Sequence, residues 1–374
     1  MIVTFDTLYF HPALEDHPRA RDLIERIPHR RIERLEKGFE ELAAGVPPDP
    51  AGGSEGARGK YNIALAPYPG RMVEHCPATP GMRCCHYRVI NLIMGCPFDC
   101  SYCILQGYLN RPTIFIFPEL EKVFSQVDSE IAACSEYPLR FGTGELSDSL
   151  ALEQVTGFAR PLIDFFRKKE KCWFEFKTKS TAVESLLEVE QVPGNIVVSW
   201  SVNPPEVVAA EETGATLLAA RLGAAKAAQG AGYKLGFHFD PIFFYDGWEA
   251  AYREVVEEIY RHVQPGRVAW ISLGTFRYSP WMARYYEQRF GDHPLLVGEN
   301  SPVPPDGKYR YPQPVRIEIY RKMNEWIKEF DSQVYVYLCM ESATVYRWAL
   351  GREDVEGDDL AVERGFPEPP GWSN

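Results

Sequence analysis

The chain is 374 residues long, 45% hydrophobic and 25% charged, an ordinary balance for a globular protein with room for one large domain or two of common size. Its 52 acidic side chains outnumber 40 basic ones and give a formal net charge of −12, so net charge does not support nucleic acid as a partner, since phosphate contacts favour a basic footprint. Membrane spans, signal peptides and disulfide scaffolds are not expected: no apolar run reaches ~18 residues, the N-terminus lacks a basic start and apolar core, and the cysteines are few for this length. A cytoplasmic address with no membrane partner is the expectation.

Residues 1–60 read as an N-terminal α/β extension ending in a flexible linker. A short strand covers 2–5, with a second piece at 8–10. Leu23, Ile24 and Ile27 then form one helical apolar face and Leu35, Phe39 and Leu42 another, with Pro28 between them. Arg19, Arg21, Arg26, His29, Arg30, Arg31 and Arg34 are interleaved with Glu25, Glu33 and Glu36 and read as a solvated helix face. Residues 47–60 are rich in Pro and Gly.

Residues 61–300 read as the next domain, and from 88 to about 300 strand-like and helix-like segments alternate. Strands are predicted at 88–94, 113–117, 139–143, 173–177, 196–202, 235–240 and 268–273, and helices at 118–135, 150–169, 182–190, 215–231 and 249–263. Repeated βα units argue for a parallel sheet, and this many argue for an α/β fold closed as a partial (β/α) TIM-like barrel, with its chemistry at the C-terminal strand ends. A doubly wound sheet is the alternative, but it wants a Gly-rich loop where this chain has cysteines. Residues 301–374 read as a C-terminal cap and a loose acidic tail; within them Val334 to Cys339 is a late strand, with Cys339 on the face of Tyr335 and Tyr337. The stretch 275–325, which includes Arg277 and Trp281, carries arginines and aromatics suited either to bases and phosphates or to closing the barrel's lower end.

The first barrel strand runs into Cys96-Pro-Phe-Asp-Cys100-Ser-Tyr-Cys103. Three soft thiolates in one loop suit an iron–sulfur cluster or zinc. A structural zinc site wants four ligands, and no second CxxC follows; a 4Fe–4S cluster held by three cysteines leaves one iron open for chemistry. Zinc or a packed cysteine set remain alternatives. Cys76, Cys84, Cys85 and His86 lie just upstream, where packing competes with a second metal site or a thiol pair.

Several strand ends carry polar groups. Phe141-Gly-Thr-Gly-Glu-Leu-Ser-Asp148 can bring backbone close to a ligand through its glycines, or cap the next helix with Ser147 or Asp148. Lys179 follows Thr178, Ser199 and Ser201 close another strand, and His238 and Asp240 share one side of theirs, as acid–base groups or as a core pair.

The CxxxCxxC spacing, with Tyr102 before the last cysteine, resembles the signature of the radical SAM superfamily. A longer pattern is similar to the spore photoproduct lyase family over roughly 87–250. It is carried by Cys100 to Gln106, Arg140-Phe141, Ser147-Asp148, Thr178-Lys179, Ala231 to Phe237, Pro241-Ile242 and Gly247-Trp248. The resemblance implies that Cys96, Cys100 and Cys103 hold a 4Fe–4S cluster whose open iron chelates S-adenosylmethionine. One electron, from a donor such as flavodoxin or ferredoxin, then cleaves it to a 5′-deoxyadenosyl radical that takes hydrogen from a substrate. Gly144 and Glu145 resemble the Gly-Gly-Glu motif that binds the cofactor's amino group; Ser147, Lys179 and Ser199 are the further expected contacts, and Tyr102 an expected catalytic residue.

Damaged nucleic acid is the substrate the family implies; a peptide or small molecule is the rival, and a redox or zinc-structural protein the non-enzyme reading. Two positions depart from the family. Glu145 stands where the lyases carry a hydrogen-donating cysteine, and Ile104 where they carry a tyrosine after the last cluster cysteine. Cys339 is the thiol expected to replace the first, with a buried strand cysteine as the alternative reading.

Overall fold

The computed structural model describes residues 4–35, 59–77, 79, 82–83, 85, 87–108, 113–134, 137–170, 172–283, 286, 307–352 and 367–369. Its strands are β1 (Phe5–Phe10), β2 (His29–Arg34), β3 (Asn62–Leu65), β4 (Val73–His75), β5 (Arg88–Ile90), β6 (Ile93–Met94), β7 (Asp99–Cys100), β8 (Thr113–Ile116) and β9 (Leu139–Gly142). They continue as β10 (Cys172–Thr178), β11 (Ile196–Ser201), β12 (Glu212–Thr213), β13 (Lys234–Ile242), β14 (Val268–Thr275), β15 (Arg277–Tyr278), β16 (Tyr309–Arg310) and β17 (Tyr335–Leu338). The helices are α1 (Pro18–Arg26), α2 (Leu105–Tyr108), α3 (Leu120–Ala133), α4 (Glu153–Thr156), α5 (Ala159–Phe166), α6 (Glu184–Leu187), α7 (Pro205–Glu211), α8 (Leu218–Ala231), α9 (Trp248–His262), α10 (Gln313–Phe330) and α11 (Ala343–Leu350).

Eight strands form the main sheet, in the order β17-β14-β13-β11-β10-β9-β5-β4. All its pairings are parallel except β4 with β5. Strand order follows chain order without turning back, so every crossover advances in one direction and the sheet curls into an open half barrel. A doubly wound sheet would reverse at a switch point. Parallel strands covered on both faces are buried along their length, and Ile-Val-Val-Ser-Trp-Ser of β11 is buried throughout. In β10, Phe174 faces the helical layer and stacks on Phe166 of α5 at 4.3 Å, while Glu175 and Lys177 alternate onto the inner side.

The second sheet has the order β2-β1-β3-β8-β6. It changes several expectations. The strand predicted at 88–94 is two strands in different sheets: after β5 the chain bends at Asn91, whose side-chain amide is held by Tyr68 at 3.0 Å and Glu74 at 2.7 Å, and β6 then pairs antiparallel with β8. The strand expected at 113–117 likewise joins the N-terminal sheet, with Ile114 opposite Ile63, and not the barrel. The 150–169 helix breaks into α4 and α5 because Gly157 takes a left-handed φ of 58°. At the C-terminal end, the segment assigned to a cap also supplies β17, the outermost barrel strand.

The basic run is not one helix face. Pro28 ends α1, its carbonyl accepts from Phe5 N at 2.8 Å, and His29–Arg34 continues as the exposed edge strand β2. There Arg30 pairs with Asp6 at 3.5 Å and Arg34 with Glu15 at 3.1 Å. Ile2, the second N-terminal helix with Phe39 and Leu42, the linker at 47–58, Cys84 and His86 lie outside the described residues. The tail returns to the barrel: Trp173 donates to the Pro367 carbonyl at 2.6 Å. No described helix is long and apolar enough to cross a membrane.

Candidate active site at the strand ends

A cavity of about 310 Å³ opens at the C-terminal ends of the barrel strands. Cys96, Cys100 and Cys103 all line it. Their loop is held from several sides. Gly95 turns the chain with φ of 99°, where a Cβ would meet the Ile114 backbone at 3.3 Å, and its N–H donates to Leu146 O at 3.0 Å. β7 pairs antiparallel with β12, Gln106 bonds Asp99 at 2.8 Å and the Cys100 carbonyl at 2.9 Å, and Lys60 donates to Phe98 O and Asp99.

Burial pushes the Cys96 thiol up to about 12 and raises Cys100 and Cys103 as well. Such sulfurs ionise only with a strongly positive partner, which a metal centre supplies. None of the described cysteines is in a disulfide. No three His, Cys, Asp or Glu side chains among the described residues are gathered as ligands of one metal ion. The three sulfurs that line the cavity are soft donors of the kind an iron–sulfur cluster takes.

The loop after β9 forms the adjoining wall, and Gly144, Glu145, Ser147 and Asp148 all line it. A Cβ on Gly144 would meet the Lys177 Cβ at 2.7 Å, so only glycine lets this loop lie against β10. Asp148 anchors the loop by accepting from Leu150 N, Ala151 N, Thr178 Oγ1 and Lys179 N at 2.6–3.0 Å. Ser147 is 5% exposed and lines the cavity, yet its hydroxyl has no hydrogen-bond partner among the described residues. A buried hydroxyl without a partner costs free energy unless a ligand completes it. That fits a polar cofactor seated beside the cysteines.

Lys179 lies across from this loop, with its Nζ 5.7 Å from the Tyr102 ring centre. Burial works against its ammonium, but Glu212, with Cys100, outweighs that and raises it. Glu212 is buried too; Lys179 and Arg221 overcome the burial and hold its carboxyl below the usual range.

Ser199 is not brought to the cavity. It lies deeper in the barrel, 0% exposed, and donates to Glu175. Gly236 on the adjoining strand leaves it room, since a Cβ there would meet Ser199 Oγ at 2.2 Å. Ser201, one layer higher on β11, lines the cavity instead. His238 and Asp240 do share a side of β13 but serve different layers. His238 bonds Glu175 at 2.9 Å and Ser272 at 2.9 Å; burial lowers it to about 4 despite Glu175, so it is neutral near pH 7. Asp240 lines the cavity, where Arg277, at 3.0 and 3.3 Å, overcomes burial and lowers its carboxyl to about 2. Arg277 also donates to Cys339 Sγ at 3.4 Å, and Cys339 ends the far wall. The Arg277 and Tyr278 stretch therefore lies at the cavity mouth, not at the lower end of the barrel.

Sequence reasoning missed Glu175 and gave no role to Arg140, a buried pair 2.7 Å apart beneath the cavity. The alternation Phe174-Glu-Phe-Lys177 marked inward polar groups on a strand and could have found Glu175. Glu212 and Arg221 were missed as well, and nothing local distinguishes them. Lys60, Lys177 and Lys308 also line the cavity; with Lys179 and Arg277 they make five cationic side chains against the acidic Glu145, Asp148 and Asp240.

Residues 79–337 match the family model described as spore photoproduct lyase. A spore photoproduct lyase from Geobacillus sp. (strain Y412MC61) is 28% identical over 332 residues, covering 86% of this chain and 95% of its own length. One from Bacillus subtilis (strain 168) is 30% identical over 166 residues, covering 44% and 48%. A solved spore photoproduct lyase variant, with bound AdoMet and dinucleoside spore photoproduct, superposes with a TM-score of 0.75 at 25% identity over 90% of this chain and all of its own. With its matched half barrel and cysteine loop, the chain belongs to the spore photoproduct lyase family of radical SAM enzymes.

Proposed function

We propose that the protein is a radical SAM enzyme that carries a 4Fe–4S cluster on Cys96, Cys100 and Cys103 and acts on a damaged nucleic acid. The observation that carries this reading is the single cavity in which the three thiols meet Gly144, Glu145, Ser147 and Lys179, with the Ser147 hydroxyl awaiting a partner. When bound, the cluster and S-adenosylmethionine together supply a carbon radical that removes hydrogen from a substrate. The chain's own residues do the holding. Glu145 would accept from the cofactor's ammonium, Gly144 would leave the backbone room beside it, Ser147 would donate its hydroxyl, and Lys179 would bind the carboxylate. Tyr102 forms the wall beneath Lys179.

Cys339 supplies the hydrogen that Glu145 cannot. Its S–H bond breaks as a C–H bond forms on the product radical, and the sulfur radical recovers one electron from the reductant and one proton from solvent. The reductant is a low-potential protein such as flavodoxin or ferredoxin, and a reducing cytoplasm suits such a cluster. The five cationic side chains of the cavity support an anionic substrate within a chain that is acidic overall. The relative solved with dinucleoside spore photoproduct supports a nucleic-acid lesion.

A second reading, the same radical chemistry on a peptide or small molecule, is favoured by Glu145 at the thiol position and by Ile104, which is 47% exposed where the family has a tyrosine. Release of 5′-deoxyadenosine from the reduced, anaerobically reconstituted protein, with and without UV-irradiated DNA, decides between them. Release stimulated by damaged DNA, with thymine restored, is expected; release indifferent to DNA would move the substrate to the second class.

A further inference from the structure

One buried carboxylate joins segments that reach the cavity from distant parts of the chain. Glu212, 2% exposed, begins β12 and stands opposite Cys100 of β7 in the antiparallel pair. Its Oε1 accepts from the Tyr102 hydroxyl at 2.5 Å and from the Asn203 amide at 3.0 Å, and its Oε2 accepts from Arg221. Arg221 is 0% exposed, and its other nitrogens donate to Thr216 O at 2.8 Å and Ser201 O at 2.9 Å. Thr216 in turn donates to the Lys179 carbonyl, from N at 3.3 Å and from Oγ1 at 2.7 Å. Beside it, Glu211 takes the Ser101 N–H at 2.9 Å on its carbonyl and the Ser101 hydroxyl on its carboxylate.

Stripping water from a carboxylate and a guanidinium is costly, and an apolar pair would fill the same space with less penalty. What an apolar pair could not do is fix directions. The β7–β12 backbone pairing sets the register of the cysteine loop but leaves the Tyr102 side chain free to turn. The carboxylate removes that freedom, and through Arg221 and Thr216 it ties the same point to the end of β10.

We propose that Glu212 is the positioning residue of this centre, holding the cysteine loop through Tyr102 and Lys179 through Arg221 and Thr216, so that thiols and lysine keep one spacing. The proposal rests on the reading of Cys96, Cys100 and Cys103 as cluster ligands. Glu212 touches neither the cluster nor the cofactor in this scheme. It acts as the outer shell of a metal site does, by orienting groups that make the contact.

The test uses full-length Glu212→Gln and Tyr102→Phe, reconstituted anaerobically. The readouts are thermal melting, iron per chain, and the EPR spectrum of the reduced cluster titrated with S-adenosylmethionine. Glu212→Gln is expected to keep its iron, show an altered EPR line and bind S-adenosylmethionine about ten- to a hundredfold more weakly, as loss of an outer-shell partner does. Glu212→Asp, which keeps the charge, should recover part of that affinity. Tyr102→Phe should shift the same readouts less, because one bond of the hub is lost. Should Glu212→Gln not fold, Tyr102→Phe and Arg221→Lys carry the test, with shifts in the same direction but smaller, since each removes only part of the hub. A wild-type EPR line and wild-type affinity in the folded variants would overturn the proposal. A wild-type cluster that ignores S-adenosylmethionine would instead overturn the functional reading beneath it.

Discussion

Glu175 and Glu212 are both buried carboxylates, and their surroundings differ. Glu175 lies on a regular strand under the cavity, paired with Arg140 at 2.7 Å and ringed by His238, Ser199 and Trp270. The Arg140 guanidinium is enclosed by Tyr87, Trp270 and Tyr337 at 4.5–5.2 Å from their ring centres. Glu212 lies at a loop junction, and its partners come from the cysteine loop, the end of β11 and α8. The residues of the first cluster do not line the cavity; the second holds Tyr102, Ser201 and, through Thr216, Lys179, which do. A charge built into a strand interior fixes the shape of the barrel, whereas a charge at a junction fixes loops against each other. Perturbing the floor should therefore cost stability, and perturbing the wall should cost cofactor chemistry.

The comparison breaks most visibly at Glu175. Glu175→Ala leaves Arg140 buried without its carboxylate and should destabilise the fold by about 3–5 kcal/mol. Denaturant unfolding measures this; iron per folded chain, read at low temperature, should stay unchanged. If stability holds while iron is lost, the division between floor and wall is wrong.

The pH dependence sharpens the same point. His238 has a folded value lowered to about 4, so the unfolded chain binds the extra proton first as pH falls. Stability should be full above the ordinary histidine range near 6.5 and should decline as pH drops toward 4, by at most about 3 kcal/mol. His238→Asn should flatten that decline without moving the apparent affinity for S-adenosylmethionine at pH 7. The smallest effect belongs to the wall's orphan hydroxyl. Ser147→Ala should leave the melting temperature unchanged and weaken S-adenosylmethionine binding by several-fold, the worth of roughly 1 kcal/mol for one hydrogen bond. An unchanged affinity would mean the hydroxyl faces no ligand.

Much of this was legible in sequence, and the limits have physical causes. The barrel strands could be read because parallel strands carry long apolar runs with punctuating Gly and Pro. The cysteine loop and the 141–148 loop could be read because their residue types are rare in such spacing. The split of 88–94 could not be read, since an apolar run says that a strand is buried, not which sheet receives it. Ser199 and Ser201 share one face, and only the register of β11 against β13 tells which reaches the top layer. Glu212 is adjacent to Glu211 in a short surface-like sequence, and its burial arises wholly from tertiary packing.

The seam of the half barrel carries one more consequence. Arg83 N donates to Glu341 O at 2.7 Å, and Thr79 meets Met340 across 261 positions of chain. The last of the three loop cysteines is residue 103, yet the opposite wall arrives only with β17, more than two hundred residues later in the chain. Closing so large a loop is entropically late, and domains assemble from the N-terminal side as they are made. The thiols would therefore stand open to solvent until β17 is made, and under the proposed function that is the interval in which iron and sulfide would be delivered, before the final strand completes the chamber.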